Sequence, residues 1–396
     1  MNTSRRNFIK KTATAAAGIG LVGSANAMSA KSYNNIIGSN DRINLAIQGL
    51  GRRYGGFIDG IAAKENNVRL KYLCDVMPSQ LDKAQIKVGK KIDYKVKSEE
   101  DIRKIIDNKK IDAIFMATPD HWHTPGAIMA MQAGKHVYLE KPCSHNPHEN
   151  ELVVAAQKKY NKIVQMGNQQ RSSLESQEII ADIHKGVIGE VYKAVAFYTN
   201  GRGKVPMPVK ATPPEGLNWD LFQGPSPRKD YTHDTWNYNW HWYGWDFGTA
   251  EMGNNATHEL DIARWALDVK YPEYVDVIAG KRQFKDDGWE MYDQMEATFK
   301  FSNNRIIQWD GDSRNAYKKY GRGRGTIIYG SKGLVFVDRG GYELYNLKGK
   351  LIREKKSGGS EGGLALGGGG DLTTRHVTNF FDAIRGKEKL TSSIEV

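Results

Sequence analysis

Residues 43–51 read Ile-Asn-Leu-Ala-Ile-Gln-Gly-Leu-Gly, a short apolar strand that leads directly into two glycines. Glycines at this point let the backbone turn tightly and approach a pyrophosphate at the start of the following helix. The third glycine of the usual Gly-x-Gly-x-x-Gly pattern is replaced by Tyr54, with Gly55 one residue later. The pattern therefore indicates a dinucleotide-binding loop at Gly49 and Gly51, although the match is incomplete.

Strand and helix patterns alternate on both sides of this loop, from residue 42 to about residue 167. The predicted strands are 43–48, 68–74, 113–117, 136–139 and 163–166. The predicted helices are 78–89, 99–107 and 125–134. Because helices of about ten residues alternate with short apolar strands, we predict a doubly wound parallel sheet, that is, a Rossmann domain over residues 42–167.

After residue 167 the pattern changes to longer strands joined by tight turns, which predicts an antiparallel sheet. The predicted strands are 191–199, 275–284, 293–301, 305–310, 326–329 and 334–338. A helix around 258–267 is expected to pack on this sheet. Residues 168–396 are thus predicted to form an α+β domain.

Asp75 directly follows the second predicted strand. In dinucleotide-binding Rossmann domains an acid at this position accepts hydrogen bonds from the adenosine ribose hydroxyls. A carboxylate there repels a 2′-phosphate, which favours NAD over NADP as the cofactor. Arg52 and Arg53 follow the glycines and keep NADP as the less favoured alternative. A solvated turn is the structural alternative for Asp75.

Polar residues also follow the third and fourth predicted strands, at the side of the sheet where open α/β folds bind ligands. The first group is Thr118, Pro119, His121, Trp122 and His123. Its His-x-His spacing fixes no further ligands, so we predict no metal site.

The second group is the Glu140-Lys141-Pro142 turn. A lysine beside a cationic nicotinamide has its ammonium form disfavoured and exchanges a proton with a substrate hydroxyl more easily. A surface lysine is the simpler alternative for Lys141.

Composition excludes several classes of protein. The chain has 396 residues, a net charge of +12 and two cysteines. The basic residues are spread along the chain, so a solvated surface explains them better than a nucleic-acid site does. Two cysteines provide neither a disulfide framework nor a zinc knuckle, and no apolar run is long enough to span a membrane.

The N-terminus resembles an export signal. Ser4-Arg5-Arg6-Asn7-Phe8-Ile9-Lys10 precedes an uncharged Ala/Gly stretch and Ala25-Asn26-Ala27. The arginine pair indicates the twin-arginine type, which exports folded proteins. We predict a signal peptide at residues 1–27, a linker at 28–41 and a periplasmic protein, with a basic amphipathic helix as the alternative.

An aromatic segment lies at residues 219–247 and contains five of the nine tryptophans. Aromatic faces stack on the C–H faces of sugars. We assign Trp240, Trp242 and Tyr243 to substrate binding, with core packing as the alternative for any single ring.

Taken together, the ordered motifs resemble the glucose–fructose oxidoreductase / inositol dehydrogenase (Gfo/Idh/MocA) family. They are Gly49-Leu50-Gly51, Asp75, the 117–123 segment, the Glu140-Lys141-Pro142 turn and the 252–265 segment that includes Asn254 and His258. The resemblance implies a large open sheet in the C-terminal domain, often used in oligomerisation, so we expect a homo-oligomer. It also implies that Lys141 lies between nicotinamide and substrate and that His258 acts as acid or base.

Further candidates are Asn168 and Gln169 for the cofactor and Arg171 for the substrate. Many family members carry an acid where this chain has Asn254. Any proton transfer would therefore rest on Lys141 and His258, with Asn254 orienting the substrate. Relatives with such an aromatic segment usually continue through another helical segment, so the resemblance implies a longer C-terminus than one ending at Val396.

We therefore expect an exported NAD-dependent oxidoreductase acting on a carbohydrate or polyol, with catalytic Lys141 and His258. Because soluble NAD is absent from the periplasm, the cofactor is expected to stay bound. The main alternative is a glycosidase that oxidises its substrate transiently, as in glycoside hydrolase family 109. A non-catalytic periplasmic sugar-binding protein is the weaker alternative.

Overall fold

The computed structural model describes residues 41–357 and 370–395. The predicted export signal at residues 1–27 and all of the predicted linker except Asp41 lie outside the described residues. The predicted dinucleotide-binding and C-terminal regions are described almost completely.

The first sheet has six parallel strands in the order β3-β2-β1-β4-β5-β6. The strands are β1 Ile43–Gln48, β2 Val68–Cys74, β3 Lys97–Glu99, β4 Ala113–Met116, β5 His136–Leu139 and β6 Val164–Met166. The strand order reverses between β1 and β4, and open α/β sheets bind ligands beside such a point, at the carboxyl ends of the strands. The predicted Rossmann sheet is confirmed.

Nine α-helices accompany the two sheets in the described parts of the chain. They are α1 Ile58–Ala62, α2 Pro78–Gly89, α3 Ile102–Ile106, α4 His123–Gln132, α5 Pro147–Tyr160, α6 Leu174–His184, α7 Trp219–Gln223, α8 Thr257–Leu267 and α9 Gly370–Ile384. The helix predicted at 99–107 is wrong in its first turn. Glu99 ends the edge strand β3, and the Asp101 side chain caps α3 by accepting a hydrogen bond from the Arg103 amide at 2.9 Å.

Aromatic packing joins the end of the chain to the first sheet. Phe115 on β4 lies 5.5 Å from Phe380 and 5.7 Å from Phe381, measured between ring centroids, and both belong to α9. Tyr138 on β5 stacks on Phe115 at 4.6 Å. All four rings are buried, so α9 covers one face of the Rossmann sheet.

The second sheet has nine described strands, eight of them in the order β15-β14-β13-β12-β7-β10-β9-β8, with β11 paired to β7. They are β7 Val191–Gly201, β8 Tyr274–Gly280, β9 Gln294–Lys300, β10 Ile306–Asp312, β11 Arg314–Asn315, β12 Arg324–Gly330, β13 Gly333–Asp338, β14 Gly341–Asn346 and β15 Leu351–Lys356. Among these strands, only the β7–β10 pair is parallel. The large, mostly antiparallel sheet is confirmed.

One face of the second sheet is covered by α6 and α8. Ile262 and Ala266 of α8 and Ile179 of α6 are buried against sheet residues such as Ile328 and Val335. This packing fixes α8, and with it the segment that precedes α8, against the sheet. Within residues 41–357 and 370–395, no helix has both the length and the apolar character needed to cross a membrane.

Candidate functional site

A cleft opens at the carboxyl ends of the Rossmann strands and brings most of the predicted residues together. Those on its lining are Gly49, Gly51, Arg52, Arg53, Asp75, Thr118, Pro119, Trp122, His123, Glu140, Lys141, Trp240 and Asn254. We call the part around Gly49 and Asp75 the loop end, and the part around Lys141 and Asn254 the lysine end.

At the loop end, the two glycines serve different purposes. Gly49 has φ +85°, and a Cβ there would lie 2.4 Å from the Ala117 carbonyl oxygen. Only glycine allows this close approach to Ala117, the residue that follows β4. A Cβ on Gly51 would meet nothing within 4 Å, because that side of the residue faces open space. Gly49 is thus required by packing, and Gly51 leaves room in the cleft for a ligand.

Asp75 connects the glycine loop to the segment that follows β2 through two hydrogen bonds. One carboxylate oxygen accepts a hydrogen bond from the Leu50 amide at 2.7 Å, and the other accepts one from the Met77 amide at 3.0 Å. Burial raises the pKa of Asp75 to about 6, although these amide bonds act in the opposite direction. A carboxylate has about four acceptor positions, so Asp75 retains capacity for a ligand hydroxyl.

Several buried polar atoms on the cleft lining have no partner among the described residues. They are Gln48 Oε1, Arg53 Nη2, Thr118 Oγ1 and His123 Nε2. An unsatisfied buried polar group costs ~1–3 kcal/mol, so native proteins rarely keep one without a reason. This mixture of donors and acceptors, together with the open side of Gly51, fits a dinucleotide.

Glu140 and Gln169 belong to a buried network beside the cleft. Glu140 Oε1 accepts hydrogen bonds from Arg53 Nε at 2.6 Å and from Gln169 Nε2 at 3.0 Å. Gln169 Nε2 also donates to the Tyr138 hydroxyl at 3.2 Å. Gln169 and Asn168 are buried and are not among the described residues that line the cleft. The network fixes Arg53 at the edge of the loop end.

At the lysine end, Lys141 contacts Asn254. Its Nζ donates to the Asn254 backbone oxygen at 2.6 Å and to Asn254 Oδ1 at 3.3 Å. Burial lowers the pKa of Lys141, while the carboxylates of Asp120 and Glu140 act in the opposite direction. An amine with a lowered pKa releases its proton more readily than an ordinary lysine ammonium does.

Asn254 is held in turn by Glu251, a residue that the sequence did not single out. Glu251 Oε1 accepts hydrogen bonds from Asn254 Nδ2 at 3.2 Å and from the Asn255 side chain. Glu251 Oε2 accepts one from Arg202 Nε at 3.1 Å. The only sequence signal for this contact is the spacing of three residues between Glu251 and Asn254. Because such spacings are common in helices, it does not predict the contact by itself.

His258 lies one turn beyond Asn254, at the start of α8. It is buried and is not among the described residues that line the cleft. Burial, together with the positive charges of Arg339 and Lys141, lowers the pKa of His258 well below its usual range. The ring is therefore neutral at neutral pH.

Arg171 pairs with the buried carboxylate of Asp261 on α8. The guanidinium donates to both carboxylate oxygens, at distances from 2.8 to 3.0 Å. The structure therefore places Arg171, a predicted substrate residue, in a bidentate ion pair. Asp261 is engaged by the same pair.

His121 and Trp122 connect the Rossmann domain to the aromatic segment. His121 Nε2 lies 2.8 Å from the Phe222 backbone oxygen, and Trp122 Nε1 donates to that oxygen at 3.0 Å. Burial lowers the pKa of His121 to about 3. His121 therefore anchors α7, while Trp122 both anchors it and lines the cleft.

No group of three or more His, Cys, Asp or Glu side chains within the described ranges is arranged to hold a metal ion.

The three predicted aromatic residues occupy different places. Trp240 lines the cleft and stacks on His241, with ring centroids 3.5 Å apart. Trp242 is buried and stacks on Trp289 at 4.0 Å. The buried Tyr243 donates its hydroxyl to the Pro206 oxygen at 2.8 Å. Further aromatic rings of the segment that line the cleft are those of Phe222, Trp236 and Tyr238.

Comparison with known proteins gives two family matches. Residues 43–168 match a family model described as an oxidoreductase family with an NAD-binding Rossmann fold. Residues 227–336 match the model of the GFO/IDH/MocA C-terminal domain.

Among curated proteins, the chain is 24% identical over 343 residues to a glycosyl hydrolase family 109 protein of Shewanella baltica, covering 83% of this chain and 68% of the relative. It is 22% identical, over the same share of each chain, to an alpha-N-acetylgalactosaminidase of Shewanella oneidensis.

Solved structures share the fold. Levoglucosan dehydrogenase in complex with NADH and levoglucosan superposes with a TM-score of 0.64 at 20% identity, over 89% of this chain and 92% of that one. The aldose-aldose oxidoreductase of Caulobacter crescentus, complexed with glycerol, gives a TM-score of 0.63 at 19% identity over the same shares.

Proposed function

The chain belongs to the Gfo/Idh/MocA family of oxidoreductases, and from that premise we propose that it oxidises or reduces a carbinol carbon of a carbohydrate or polyol with bound NAD. The observation that carries the proposal is the single cleft that runs from the Gly49 loop to Lys141. The Gly49–Gly51 loop and Lys141, an amine with a lowered pKa, lie on this one surface, which supports the proposal.

The loop end would hold the dinucleotide. The Gly49–Gly51 backbone would receive the pyrophosphate, Asp75 the adenosine ribose, and the unpartnered atoms of Gln48 and Thr118 further polar groups of the ligand. When bound, NAD supplies the hydride acceptor or donor. A carboxylate at position 75 disfavours a 2′-phosphate, so we propose NAD rather than NADP.

The lysine end would accept and return the proton of the substrate hydroxyl. Lys141 Nζ takes the proton of the substrate hydroxyl during oxidation and returns it during reduction. Neutral His258, buried one turn beyond Asn254 and off the cleft lining, is the second candidate acid or base, and Asn254 orients Lys141. Trp240, on the cleft lining, offers an aromatic face to the C–H groups of a sugar.

A direct test is to purify the full chain and look for bound dinucleotide by mass spectrometry, then to follow the absorbance of the reduced nicotinamide during a screen of sugars and polyols. We expect a bound or readily accepted dinucleotide and a substrate-dependent absorbance change. A folded protein that neither contains nor takes up NAD would overturn the proposal.

A second candidate function is redox-neutral glycoside cleavage, which the glycosyl hydrolase family 109 names of the curated relatives favour. In that reaction the sugar is oxidised, eliminates its aglycone, adds water and is reduced again, so the cofactor ends unchanged. Aryl glycosides, including the α-N-acetylgalactosaminide, incubated without added NAD would distinguish the two functions. Release of free sugar without net ketone favours cleavage, whereas accumulation of ketone favours net oxidation.

We also propose export through the twin-arginine route and assembly into a homo-oligomer. Arg5, Arg6 and the uncharged stretch that follows them support export. The edge strand β8 supports assembly, since its Val275, Val277 and Ile278 are all exposed. Fractionation of cells that express the full chain, and light scattering of the purified protein, would test these two points.

A further inference from the structure

The contact between Lys141 and Asn254 uses a defined number of hydrogen-bond donors. Lys141 Nζ donates to two oxygens of one residue, the Asn254 backbone oxygen at 2.6 Å and Oδ1 at 3.3 Å. A neutral lysine amine has two N–H groups and one lone pair, whereas an ammonium has three N–H groups and no lone pair. The two acceptors on Asn254 take up both N–H groups of a neutral amine, whose lone pair then stays free for a proton from the cleft.

Glu251 determines which way the Asn254 amide faces. A carboxylate only accepts hydrogen bonds, so the Asn254 Nδ2 group must lie toward Glu251, where the distance to Oε1 is 3.2 Å. The amide oxygen then faces Lys141. If Asn254 were reversed, its Nδ2 group would donate to the lysine lone pair and block it.

Glu251 is itself fixed, because it is buried and paired with Arg202. It directly precedes a π-helical segment, Met252–Ala256, that leads into α8. π-helical turns are rare and are often found at functional sites. The carboxylate receives both Asn254 and Asn255 at one oxygen, so the turn presents two amides to a single acceptor.

We propose that Glu251 is a positioning residue that, by fixing the Asn254 amide, keeps the Lys141 amine paired to neutral oxygens with its lone pair free for the substrate proton. This inference rests on the proposed role of Lys141 as the base. A carboxylate placed directly at position 254 would instead stabilise the ammonium form and remove the lone pair.

The charges around Lys141 define the expected pH dependence. Burial has the largest effect and lowers the pKa of Lys141, and the positive charge of Arg339 acts in the same direction. The carboxylates of Asp120, Glu140 and Glu251 raise it. Exchanging the two residues, so that the carboxylate stands at position 254 in direct contact with Nζ, leaves the net charge unchanged. It strengthens only the effect of the carboxylates, which raises the pKa of Lys141.

The experiment is therefore an exchange. The variants are Glu251→Gln, Asn254→Asp and the double variant that carries both, in which carboxylate and amide trade places. The matched control is Asp112→Asn, since Asp112 also accepts hydrogen bonds from an asparagine, Asn44, at 2.7 Å and 3.1 Å, but at the amino-terminal ends of strands β1 and β4, away from the cleft. The full chain is labelled with 13Cε-lysine, and each amine is titrated by NMR without cofactor or substrate.

We expect Asn254→Asp and the double variant to raise the Lys141 midpoint by about one pH unit or more, as a new charge in direct contact does. Lys135, a buried lysine that donates to the Asn108 and Ile111 oxygens, should keep its own midpoint in every variant. When substrate is turned over, Glu251→Gln should lower kcat ~10-fold and change KM less than ~2-fold. The double variant should move the acid limb of the pH–rate profile to higher pH. Glu251→Asp should recover part of the loss.

Two results would overturn the inference, namely an unchanged Lys141 midpoint in both proteins that carry Asn254→Asp, or a kcat loss in Glu251→Gln no larger than in Asp112→Asn. Should Glu251→Gln fail to fold because Arg202 loses its partner, Asn254→Asp still gives the midpoint. A wild-type protein that takes up no NAD would overturn the proposed function alone, because the titration needs no ligand.

Discussion

The two ends of the cleft are built in opposite ways. At the loop end, buried groups such as Thr118 Oγ1 and Gln48 Oε1 have no partner among the described residues, and Gly51 faces open space. At the lysine end, Lys141 is already paired with Asn254, and Asn254 with Glu251. The loop end is arranged to be completed by a ligand, whereas the lysine end is arranged before a ligand arrives.

This difference follows from the tasks proposed for each end. A binding surface gains affinity when the ligand satisfies groups that would otherwise be unpaired. A proton-transfer group gains rate when its orientation is fixed in advance, because no reorganisation is then needed during the reaction. Substitutions at the loop end should therefore change ligand affinity, and those at the lysine end should change kcat.

The largest effect is expected from Lys141→Met, which keeps the length of the side chain but removes the amine. We expect kcat to fall ~1,000-fold, within the usual range for loss of a general acid or base, while the Kd for NAD changes less than ~3-fold. Steady-state kinetics and fluorescence titration of NAD would measure the two quantities. Lys135→Met is the control, since that buried lysine lies at the amino-terminal end of β5, away from the cleft. A comparable loss of kcat there would contradict the assignment.

The next largest effect separates the two glycines of the loop end. Gly49→Ala places a Cβ 2.4 Å from the Ala117 oxygen at a φ of +85°. We expect the free energy of unfolding to fall by ~3 kcal/mol, since a left-handed alanine alone costs ~1–2 kcal/mol and the clash adds to it. Denaturant unfolding would measure it.

Gly51→Ala is the matched variant for this pair, because its Cβ enters open space. It should unfold like the wild type and bind NAD ~10-fold more weakly, as a methyl group then occupies part of the space proposed for the pyrophosphate. Wild-type affinity in Gly51→Ala would show that the loop does not receive the dinucleotide.

The loop end could be predicted from sequence because its determinants are local. Residues 43–48 and 136–139 are mostly apolar and mostly buried in the parallel sheet, and residues 68–74 have apolar side chains at Leu70, Leu73 and Cys74 that are buried. The predicted bounds of all three segments match β1, β2 and β5. Gly49 and Asp75 follow two of these strands directly, so their meeting at one edge follows from the topology. By contrast, β14 and β15 have no strong apolar pattern, and β15 is almost wholly exposed.

The lysine end could be predicted only as a set of residues. Lys141 and Asn254 are 113 positions apart, and their contact depends on how α8 packs on the second sheet. Whether Arg171 faces a substrate or Asp261, and whether Trp242 faces the cleft or Trp289, also depends on tertiary packing. The sequence shows residue types at these positions but not the directions of their side chains.

A smaller effect concerns pH at the loop end. Burial raises the pKa of Asp75 to about 6, above its value of about 3.9 in an unfolded chain. The folded protein therefore holds a proton that the unfolded chain releases between about pH 4 and 6, so the free energy of unfolding should fall as pH rises through this window, by at most ~3 kcal/mol. Asp75→Asn should remove this dependence in denaturant unfolding at pH 4 to 8.

The same titration should appear in cofactor binding. Wild-type affinity for NAD should rise from pH 5 to 7 as Asp75 ionises and accepts hydrogen bonds from the ribose, and Asp75→Asn should bind NAD ~10-fold more weakly at pH 7. The variant should also lose part of the preference for NAD over NADP. An unchanged NAD affinity at every pH would mean that Asp75 serves only to hold Leu50 and Met77.

The smallest effect tests whether the lysine end extends to the aromatic segment. Trp240 lines the cleft, whereas Trp242 is buried against Trp289. We expect Trp240→Phe to raise KM for the sugar ~3-fold with little change in stability, because a smaller face stacks less well on the substrate. Trp242→Phe should lower the free energy of unfolding by ~1 kcal/mol and leave KM nearly unchanged, because it removes packing and no substrate contact. If both variants raised KM equally, the aromatic segment would act as one unit, and the distinction between a lining ring and a supporting ring would fail.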